Sequence, residues 1–423
     1  MTVDMFSADA PFRTLPGLIR LHARHQPGQP ALRDGREALT YAQLDALMDR
    51  VAAALQRDGV RPGEAIAICA LNSVRYAALF LGVLRAGAVA APLAPSSTPE
   101  SLAGMLRDAD ARLLFVDGAA PPTDAAPRTI ALDGPAFDGW LAPEGAAPVP
   151  VEIAPEAPFN IIYSSGTTGT PKGIVQPHGM RWTQVRRVPV YDYGPHGTTL
   201  LATPLYSNTT LVVFLPTLAG GGCVVLMEKF DALRYLQLAQ QYRVTHTMLV
   251  PVQYQRIMAL PQFGAFDLSS FRFKFCTSAP FRAELKADVL ARWPGTLTEF
   301  YGMTEGGGTC ILDAHLHPDK LHTVGRPAEG HDIRLIDEQG REVPPGEAGE
   351  VVGHSPGMMT GYHNQPEKTR EAEWFDPVGK RFIRTGDVGR FDAEGFLTLI
   401  DRRKDMIISG GFNIYPSDLE AQL

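Results

Sequence analysis

Residues 163–173 read Tyr-Ser-Ser-Gly-Thr-Thr-Gly-Thr-Pro-Lys-Gly, and they follow the apolar run Phe-Asn-Ile-Ile at residues 159–162. This order predicts a buried strand that leads into a loop. Glycines let backbone N–H groups approach an anion, hydroxyl groups donate further hydrogen bonds, and lysine supplies positive charge. The same residue types also build ordinary surface turns, and composition alone favours a turn. The rest of the chain must therefore decide between a turn and a phosphate-binding loop.

Two common nucleotide-binding loops do not match this stretch. A Walker-type loop has glycine, four further residues and then Gly-Lys-Ser/Thr, whereas here the fifth residue after Gly166 is Pro171 and Lys172 is followed by Gly173. A dinucleotide-binding loop has the pattern Gly-x-Gly-x-x-Gly, which Gly166, Gly169 and Gly173 do not form. P-loop kinases and GTPases are therefore disfavoured.

Length and charge limit the class of protein. The chain of 423 residues is long enough for two or more domains. Its content of 45% hydrophobic and 20% charged residues is ordinary for a globular enzyme. The formal net charge of -7 provides no basic footprint for a phosphate backbone, so we expect no nucleic-acid partner.

The cysteines and apolar stretches indicate the compartment. The four cysteines are Cys69, Cys223, Cys276 and Cys310. They are far apart in sequence, which favours free thiols in a reducing, cytoplasmic compartment over a disulfide framework or metal site. Residues 1–16 show no apolar core of a signal peptide. The longest apolar stretch, residues 77–94, is broken by Arg85, Gly87 and Pro92. It predicts a helix followed by a strand, and no membrane span.

Helix and strand signals alternate along most of the chain. Residues 40–43, Thr-Tyr-Ala-Gln, form a capping box, and the apolar run at residues 65–71 predicts a buried parallel strand. Residues 119–158, rich in Ala and Pro, predict a connecting stretch, and the alternation resumes after the glycine-rich loop with a helix capped by Asp231. The pattern predicts two stacked, doubly wound α/β subdomains within residues 1–330.

The pattern changes beyond residue 330. Short strand-like runs alternate there with turn signals, which predicts an antiparallel, β-barrel-like subdomain at about residues 330–400. Residues 417–423 have the pattern of a helix start that is too short to be stable alone. We therefore expect the chain to stop at the threshold of a further domain.

Four more stretches follow the loop in a fixed order. They are Cys-Thr-Ser-Ala-Pro at residues 276–280, Tyr-Gly-Met-Thr-Glu at 301–305, Arg-Thr-Gly-Asp at 384–387, and Asp-Arg-Arg-Lys-Asp at 401–405 with Gly-Gly-Phe-Asn at 410–413. Together with the loop they closely resemble the adenylate-forming superfamily of acyl- and aryl-CoA synthetases, adenylation domains and luciferases. The resemblance covers nearly the whole chain and implies that family's α/β fold. It also implies that the loop is a phosphate-binding loop.

The resemblance implies a nucleotide site. Its implied residues are Ser164, Ser165, Gly166, Thr167, Thr168, Gly169, Lys172, Thr277, Ser278, Ala279, Tyr301, Gly302, Thr304, Asp387 and Arg402. Asp387 would accept hydrogen bonds from the ribose, and Tyr301 would stack on adenine, although a core aromatic is the alternative for Tyr301. Glu305 would bind Mg²⁺, since that cation takes oxygen ligands. The implied catalytic residues are Thr168, Lys172, Glu305 and Lys404.

The resemblance also implies an acid-binding site. By position in the family they are Ser207, Asn208, Tyr254, Gly306, Gly307 and Gly308. The three glycines would leave room for an aryl group or a medium-to-long acyl group if they face the pocket. Many synthetases carry histidine where Ser207 stands, so the role of that imidazole does not carry over to this chain. No anchor for an amino-acid substrate is evident, which favours another class of carboxylic acid.

The implied reaction joins a carboxylic acid to coenzyme A, with ATP and Mg²⁺ as further cofactors. Residues 1–400 would form the large N-terminal domain, 401–405 the hinge, and 406–423 the start of a C-terminal lid domain. The family's lid lysine would lie beyond Leu423, so we expect poor turnover. Two alternatives stay open, which are an adenylation module that loads a carrier protein and a non-catalytic nucleotide- or acyl-binding protein. The oligomeric state is not predicted.

Overall fold

The computed structural model of the chain describes residues 3–7, 9–125, 128–164, 171–402, 408–409 and 412–413. The chain divides into two compact units, which separate between residues 229 and 230. Among the described residues, no helix has the length and apolar character needed to cross a membrane.

The first unit is a mixed α/β structure. Its helices are α1 Leu15–His25, α2 Tyr41–Arg57, α3 Val74–Arg85, α4 Pro99–Asp108, α5 Pro135–Trp140, α6 His178–Val185 and α7 Asn208–Ala219. Its strands are β1 Pro30–Arg33, β2 Ala38–Thr40, β3 Ala65–Cys69, β4 Val89–Leu93, β5 Leu113–Val116, β6 Thr129–Ala131, β7 Pro158–Ser164, β8 Lys172–Pro177, β9 Thr198–Leu201 and β10 Cys223–Leu226.

One sheet of the first unit has the order β8-β7-β4-β3-β5-β6. All its neighbouring strands are parallel except β7 and β8. The apolar side chains of β3 and β4 are buried on both faces, which explains their continuous hydrophobic runs. A second group of strands has the order β9-β10-β1-β2.

Local signals explain where these elements begin. Thr40 accepts a hydrogen bond from the backbone of Gln43, and the Gln43 side chain accepts one from the backbone of Thr40, so the expected capping box is present. The expected connecting stretch of residues 119–158 is wrong in part, because it contains β6 and α5. The core of this segment is aromatic, since Phe137 and Trp140 pack against Phe115.

The second unit combines an α/β part with an antiparallel sheet. Its helices are α8 Ala232–Gln241, α9 Pro251–Met258, α10 Ala283–Arg292 and α11 Pro366–Ala372. Its strands are β11 His246–Leu249, β12 Phe273–Cys276, β13 Thr296–Gly302, β14 Thr309–Asp313, β15 Arg326–Pro327, β16 Asp332–Ile336, β17 Gly349–His354, β18 Gly361–Tyr362, β19 Glu373–Phe375, β20 Arg381–Phe391, β21 Leu397–Arg402, β22 Ile408–Ser409 and β23 Phe412–Asn413.

Strands of the second unit form two larger sheets. β11, β12 and β13 are parallel neighbours, and β14 and β15 continue the sheet in antiparallel order. The other sheet is fully antiparallel and has the order β16-β17-β20-β19, with β21 also on β20. These sheets confirm the expected fold class, an α/β protein with an antiparallel, half-barrel subdomain.

Candidate adenylating site

The two ends of the glycine-rich loop meet on one strand pair. β7 and β8 are antiparallel, and their register places Ser164 opposite Lys172. At the end of β7, the Tyr163 hydroxyl donates a hydrogen bond to Oδ2 of Asp108 at 2.8 Å, which anchors the strand. The remaining loop residues named above, Ser165, Gly166, Thr167, Thr168 and Gly169, lie outside the described residues.

The segment after β12 carries a strained residue. β12 ends at Cys276, and Thr277, Ser278 and Ala279 follow it at the carboxyl end of a parallel strand. This end of an α/β sheet is where ligands commonly bind. Ser278 has a φ of 80°, a left-handed conformation that costs a residue other than glycine about 1–3 kcal/mol and that clusters at functional sites. The geometry suits backbone contacts with a ligand.

Tyr301 and Asp387 join two distant motifs. The Tyr301 hydroxyl donates a hydrogen bond to Oδ2 of Asp387 at 2.7 Å, and the Asp387 backbone N–H donates to Oγ1 of Thr385 at 3.0 Å. Burial, and next the neighbouring Asp387 carboxylate, raises the pKa of Tyr301 well above its ordinary value. The phenol therefore keeps its proton and remains a donor. The backbone of Arg402 pairs with that of Asp387 across β20 and β21.

The Tyr301 ring has a structural role as well. It packs against a buried cluster that includes Cys310, Leu335 and Val351. The core role that the sequence left open for this side chain is therefore present. Stacking of Tyr301 on adenine remains a prediction.

Glu305 is oriented by a tyrosine. Its Oε1 accepts a hydrogen bond from the Tyr362 hydroxyl at 2.8 Å, and its backbone carbonyl accepts one from the N–H of Met359 at 2.8 Å. Tyr362 is 8% exposed, and burial followed by the charge of Glu305 raises the pKa of its phenol. Tyr362 thus stays protonated and holds the carboxylate in one direction.

The arrangement at Glu305 suits a magnesium ion that is bound mainly by the phosphates of a nucleotide. Mg²⁺ in nucleotide sites is commonly held by one or two carboxylates together with phosphates. Within the described part of the chain, no group of three or more His, Cys, Asp or Glu residues could hold a metal ion. A single carboxylate in a fixed orientation fits this mode of binding.

Tyr254 is not placed as a substrate contact. Its side chain is fully buried, its hydroxyl donates to the carbonyl of Phe275 at 2.9 Å, and its ring stacks on Phe281 with centroids 5.3 Å apart. The expectation that Tyr254 lines the acid pocket is therefore corrected, because this aromatic side chain belongs to the core of the second unit.

Two of the three glycines after Glu305 do not leave open space. A Cβ on Gly307 would lie 2.5 Å from Cβ of Ile383, and a Cβ on Gly308 would collide with Cδ1 of Ile333. Gly306 has a φ of 79° and forms a turn. The expectation that Gly307 and Gly308 make room for the acid is corrected, since the antiparallel sheet occupies the space beside them.

Ser207 and Asn208 lie at the start of α7. Ser207 is its N-cap residue, and Asn208 is the first residue of the helix. Asn208 belongs to a polar cluster that sequence reasoning missed. We call it the amide cage, which consists of Asn160, Gln176, Gln184 and Asn208 around the guanidinium of Arg181. A visible signal was the presence of single amides within the apolar runs of β7 and β8.

A buried ion pair supports the strand that carries Tyr301. Lys286 of α10 and Glu299 of β13 form this pair, and both residues are less than 5% exposed. Burial raises the pKa of Glu299 to about 7, although Lys286 opposes the effect. Nζ of Lys286 also donates to the carbonyls of Leu321 and Thr323 at 2.7 and 3.0 Å. Sequence reasoning did not identify this pair.

A comparison with known protein families identifies the class of the protein. The family model of AMP-binding enzymes matches residues 19–363, so the chain belongs to this family. The acyl- and aryl-CoA ligases of the family use ATP, Mg²⁺ and coenzyme A.

Particular relatives are similar over most of the chain. A feruloyl-CoA synthase of Amycolatopsis sp. is 36% identical over 410 residues, which cover 95% of this chain and 81% of the relative. An indoleacetate–CoA ligase of Aromatoleum aromaticum is 33% identical over 423 residues, covering 94% of this chain and 80% of the relative. The inhibitor-bound N-terminal domain of FACL13 from Mycobacterium tuberculosis superposes with a TM-score of 0.83 and 27% identity, covering 92% of this chain and 100% of that domain.

Proposed function

We propose that this chain is an AMP-forming acyl- or aryl-CoA ligase. The observation that carries the proposal is the hydrogen bond between Tyr301 and Asp387. It holds a carboxylate that is only 8% exposed, and a carboxylate in such a position is complementary to the paired hydroxyl groups of a ribose. The relatives named as CoA ligases support the same reaction.

The reaction would proceed in two steps. One oxygen of the substrate carboxylate forms a bond with the α-phosphorus of ATP, the bond from that phosphorus to the bridging oxygen breaks, and pyrophosphate leaves. The sulfur of coenzyme A then bonds to the acyl carbon, AMP leaves, and the thiol proton passes to solvent. The first step brings two anions together, so positioning and charge neutralisation provide most of the catalysis.

Each side-chain group has a role in this proposal. Glu305 holds Mg²⁺, which neutralises phosphate charge, and Tyr362 fixes the direction of the Glu305 carboxylate. The nucleotide-binding residues are Ser164, Ser165, Gly166, Thr167, Thr168, Gly169, Lys172, Thr277, Ser278, Ala279, Tyr301, Gly302, Thr304, Asp387 and Arg402. Thr168 and Lys172 donate to the leaving phosphates, and Ser207 and Asn208 contact the acid.

The proposal also includes a domain organisation and a location. Residues 1–400 form the large domain, 401–405 the hinge with Lys404, and 406–423 begin the lid domain; Lys404 lies outside the described residues. Neither the structure nor the comparisons support the expectation of poor turnover. A cytoplasmic location is supported by the four cysteines, which are buried and free.

The test is acid-dependent exchange of labelled pyrophosphate into ATP. Ferulic and indoleacetic acids, fatty acids of several lengths, and amino acids would be compared with Mg²⁺ present. Non-amino acids, with aromatic acids first, should support exchange and should give hydroxamates when hydroxylamine is added. Asp387→Asn should lower AMP affinity about tenfold, because one hydrogen bond to a charged group is lost.

The acceptor is tested separately. Coenzyme A should accept the acyl group, and a phosphopantetheinyl carrier protein should not. Exchange with amino acids only would overturn the assignment to CoA ligases. Absence of both acid-dependent exchange and AMP binding would overturn the proposed function.

A further inference from the structure

Arg181 is a buried cation that no carboxylate of the described residues neutralises. The residue is 2% exposed, and among the described residues it forms no ion pair with Asp or Glu. Its guanidinium instead donates to side-chain amide oxygens on three sides and lies 5.6 Å from the centroid of the Phe159 ring. Burying a charge is costly unless every donor is satisfied. Because this arrangement is costly, we infer that Arg181 has a role besides packing in the core.

All five N–H groups of Arg181 have acceptors. Nε and Nη2 donate to Oδ1 of Asn160 at 3.1 and 3.0 Å, and Nη2 also donates to Oε1 of Gln176. Nη1 donates to Oε1 of Gln184 at 3.0 Å and to Oδ1 of Asn208 at 2.9 Å. Arg181 is therefore saturated, and it has no donor left for a ligand.

Like Gln184, whose Nε2 makes no hydrogen bond with the described residues, Asn208 is a member of the cage that is not saturated. Its Oδ1 accepts from Arg181 and, at 3.3 Å, from Nε2 of Gln176. Its Nδ2 makes no hydrogen bond with the described residues, and the side chain is half-buried. Because an amide has one acceptor end and one donor end, two donors on Oδ1 fix its orientation. A flipped amide would place N–H groups against N–H groups.

We propose that Arg181 is a positioning residue for the acid, because it turns the Nδ2 donor of Asn208 towards an oxygen of the carboxylic-acid substrate. The inference rests on the proposed function, since its ligand is the acid of that reaction. The cage also includes Asn160 of β7 and Gln176 of β8, the two strands that carry the ends of the glycine-rich loop. One guanidinium thus links the loop-bearing strand pair with the start of α7.

The experiment compares two ligands on the full chain. Binding of AMP reports the nucleotide contacts alone, and binding of 5′-O-(N-feruloylsulfamoyl)adenosine, a stable analogue of an acyl-adenylate, adds the acyl contacts. The ratio of the two dissociation constants isolates the acyl side. If the wild-type chain binds neither ligand, the proposed function fails. If it binds both and prefers the acyl analogue, the positioning inference can be tested on variants.

Asn208→Asp is the informative variant. The carboxylate of this variant can still accept hydrogen bonds from Arg181 and Gln176, so the protein should unfold at the wild-type temperature or above it. The Nδ2 donor of the amide is lost. We expect the affinity for the acyl analogue to fall about tenfold and the affinity for AMP to stay unchanged. A role in folding alone predicts that both affinities are preserved.

Two further variants complete the test. Arg181→Met should lower the preference for the acyl analogue by a similar factor, and Arg181→Lys, which can still donate to Asn208, should recover part of it. Gln184→Met removes an acceptor from the same Nη1 atom without touching Asn208, so it should leave the preference unchanged. The inference is overturned if Asn208→Asp keeps the wild-type preference, or if Gln184→Met lowers it as much as Arg181→Met does.

Discussion

The hydroxyl of Tyr362 donates to Oε1 of Glu305 at 2.8 Å across 57 residues of sequence. Tyr362→Phe removes this donor and weakens the orientation of the Glu305 carboxylate. We expect catalytic efficiency at limiting Mg²⁺ to fall about tenfold, since a hydrogen bond to a charged group contributes about 1.5–3 kcal/mol. The measurement is the Mg²⁺ dependence of pyrophosphate exchange.

A matched control exists for this variant. The hydroxyl of Tyr76 is buried and has no hydrogen-bond partner among the residues that the structure describes, so Tyr76→Phe removes a comparable group far from Glu305 in sequence. It should leave the Mg²⁺ dependence unchanged. Equal Mg²⁺ dependence of wild type and Tyr362→Phe would contradict a role for Tyr362 in orienting the metal ligand.

Gly308 is required by the sheet beside it. A Cβ there would collide with Ile333, and the φ of 153° is unfavourable for other residues. Gly308→Ala should lower the free energy of unfolding by about 2–4 kcal/mol. Adding Ile333→Val removes the Cδ1 that is in the way and should recover part of the loss in urea unfolding. Gly104→Ala, where a Cβ meets nothing within 4 Å, should not destabilise.

Because the pair of Lys286 and Glu299 is buried, we expect the loss of one partner to destabilise the protein strongly. Lys286→Met leaves a buried carboxylate without its cation, which should cost about 3–5 kcal/mol in urea unfolding. The double variant Lys286→Met/Glu299→Gln should recover most of this loss. As a comparison, Arg36→Met breaks the exposed pair Arg36–Glu228. This variant should lower the free energy of unfolding by less than about 1 kcal/mol. A small effect of Lys286→Met would show that the pair does not support β13.

We expect the burial of His178 to make the stability of the protein depend on pH. Its side chain is 3% exposed beside Phe159, and burial lowers its pKa from 6.5 to about 4. Between these values the unfolded chain binds more protons than the folded chain. Stability from this group is therefore complete above pH 6.5 and is lost as pH falls towards 4, by up to about 3 kcal/mol. His178→Gln should flatten that decline in urea unfolding measured between pH 8 and 4.5, and an unchanged decline would contradict the assignment.

Local signals in the sequence predicted many of the elements. The capping box at Thr40 and the apolar run of β3 depend on neighbouring residues alone, and both are present. The connecting stretch was misjudged because β6 has three residues and α5 has six, which is too short for a clear periodic pattern.

The side-chain pairs of the site could not be predicted in this way. Tyr301 and Asp387 were each named from a motif, but their contact depends on how β13 and β20 pack. Tyr254 was misplaced because a residue on a helix can face either the core or a ligand, and single-sequence patterns do not distinguish them. The amide cage draws on two strands and two helices, so no local window contains it.

The composition of the amide cage should make it tolerant of changes in pH. Asparagine and glutamine side chains do not titrate, and burial lowers the pKa of Arg181 only to about 9. A cage built on carboxylates would lose its partners in acid, whereas this one keeps every charge and every acceptor from acid to mildly alkaline solution. The direction of the Asn208 amide should therefore be insensitive to acidification for as long as the first unit stays folded.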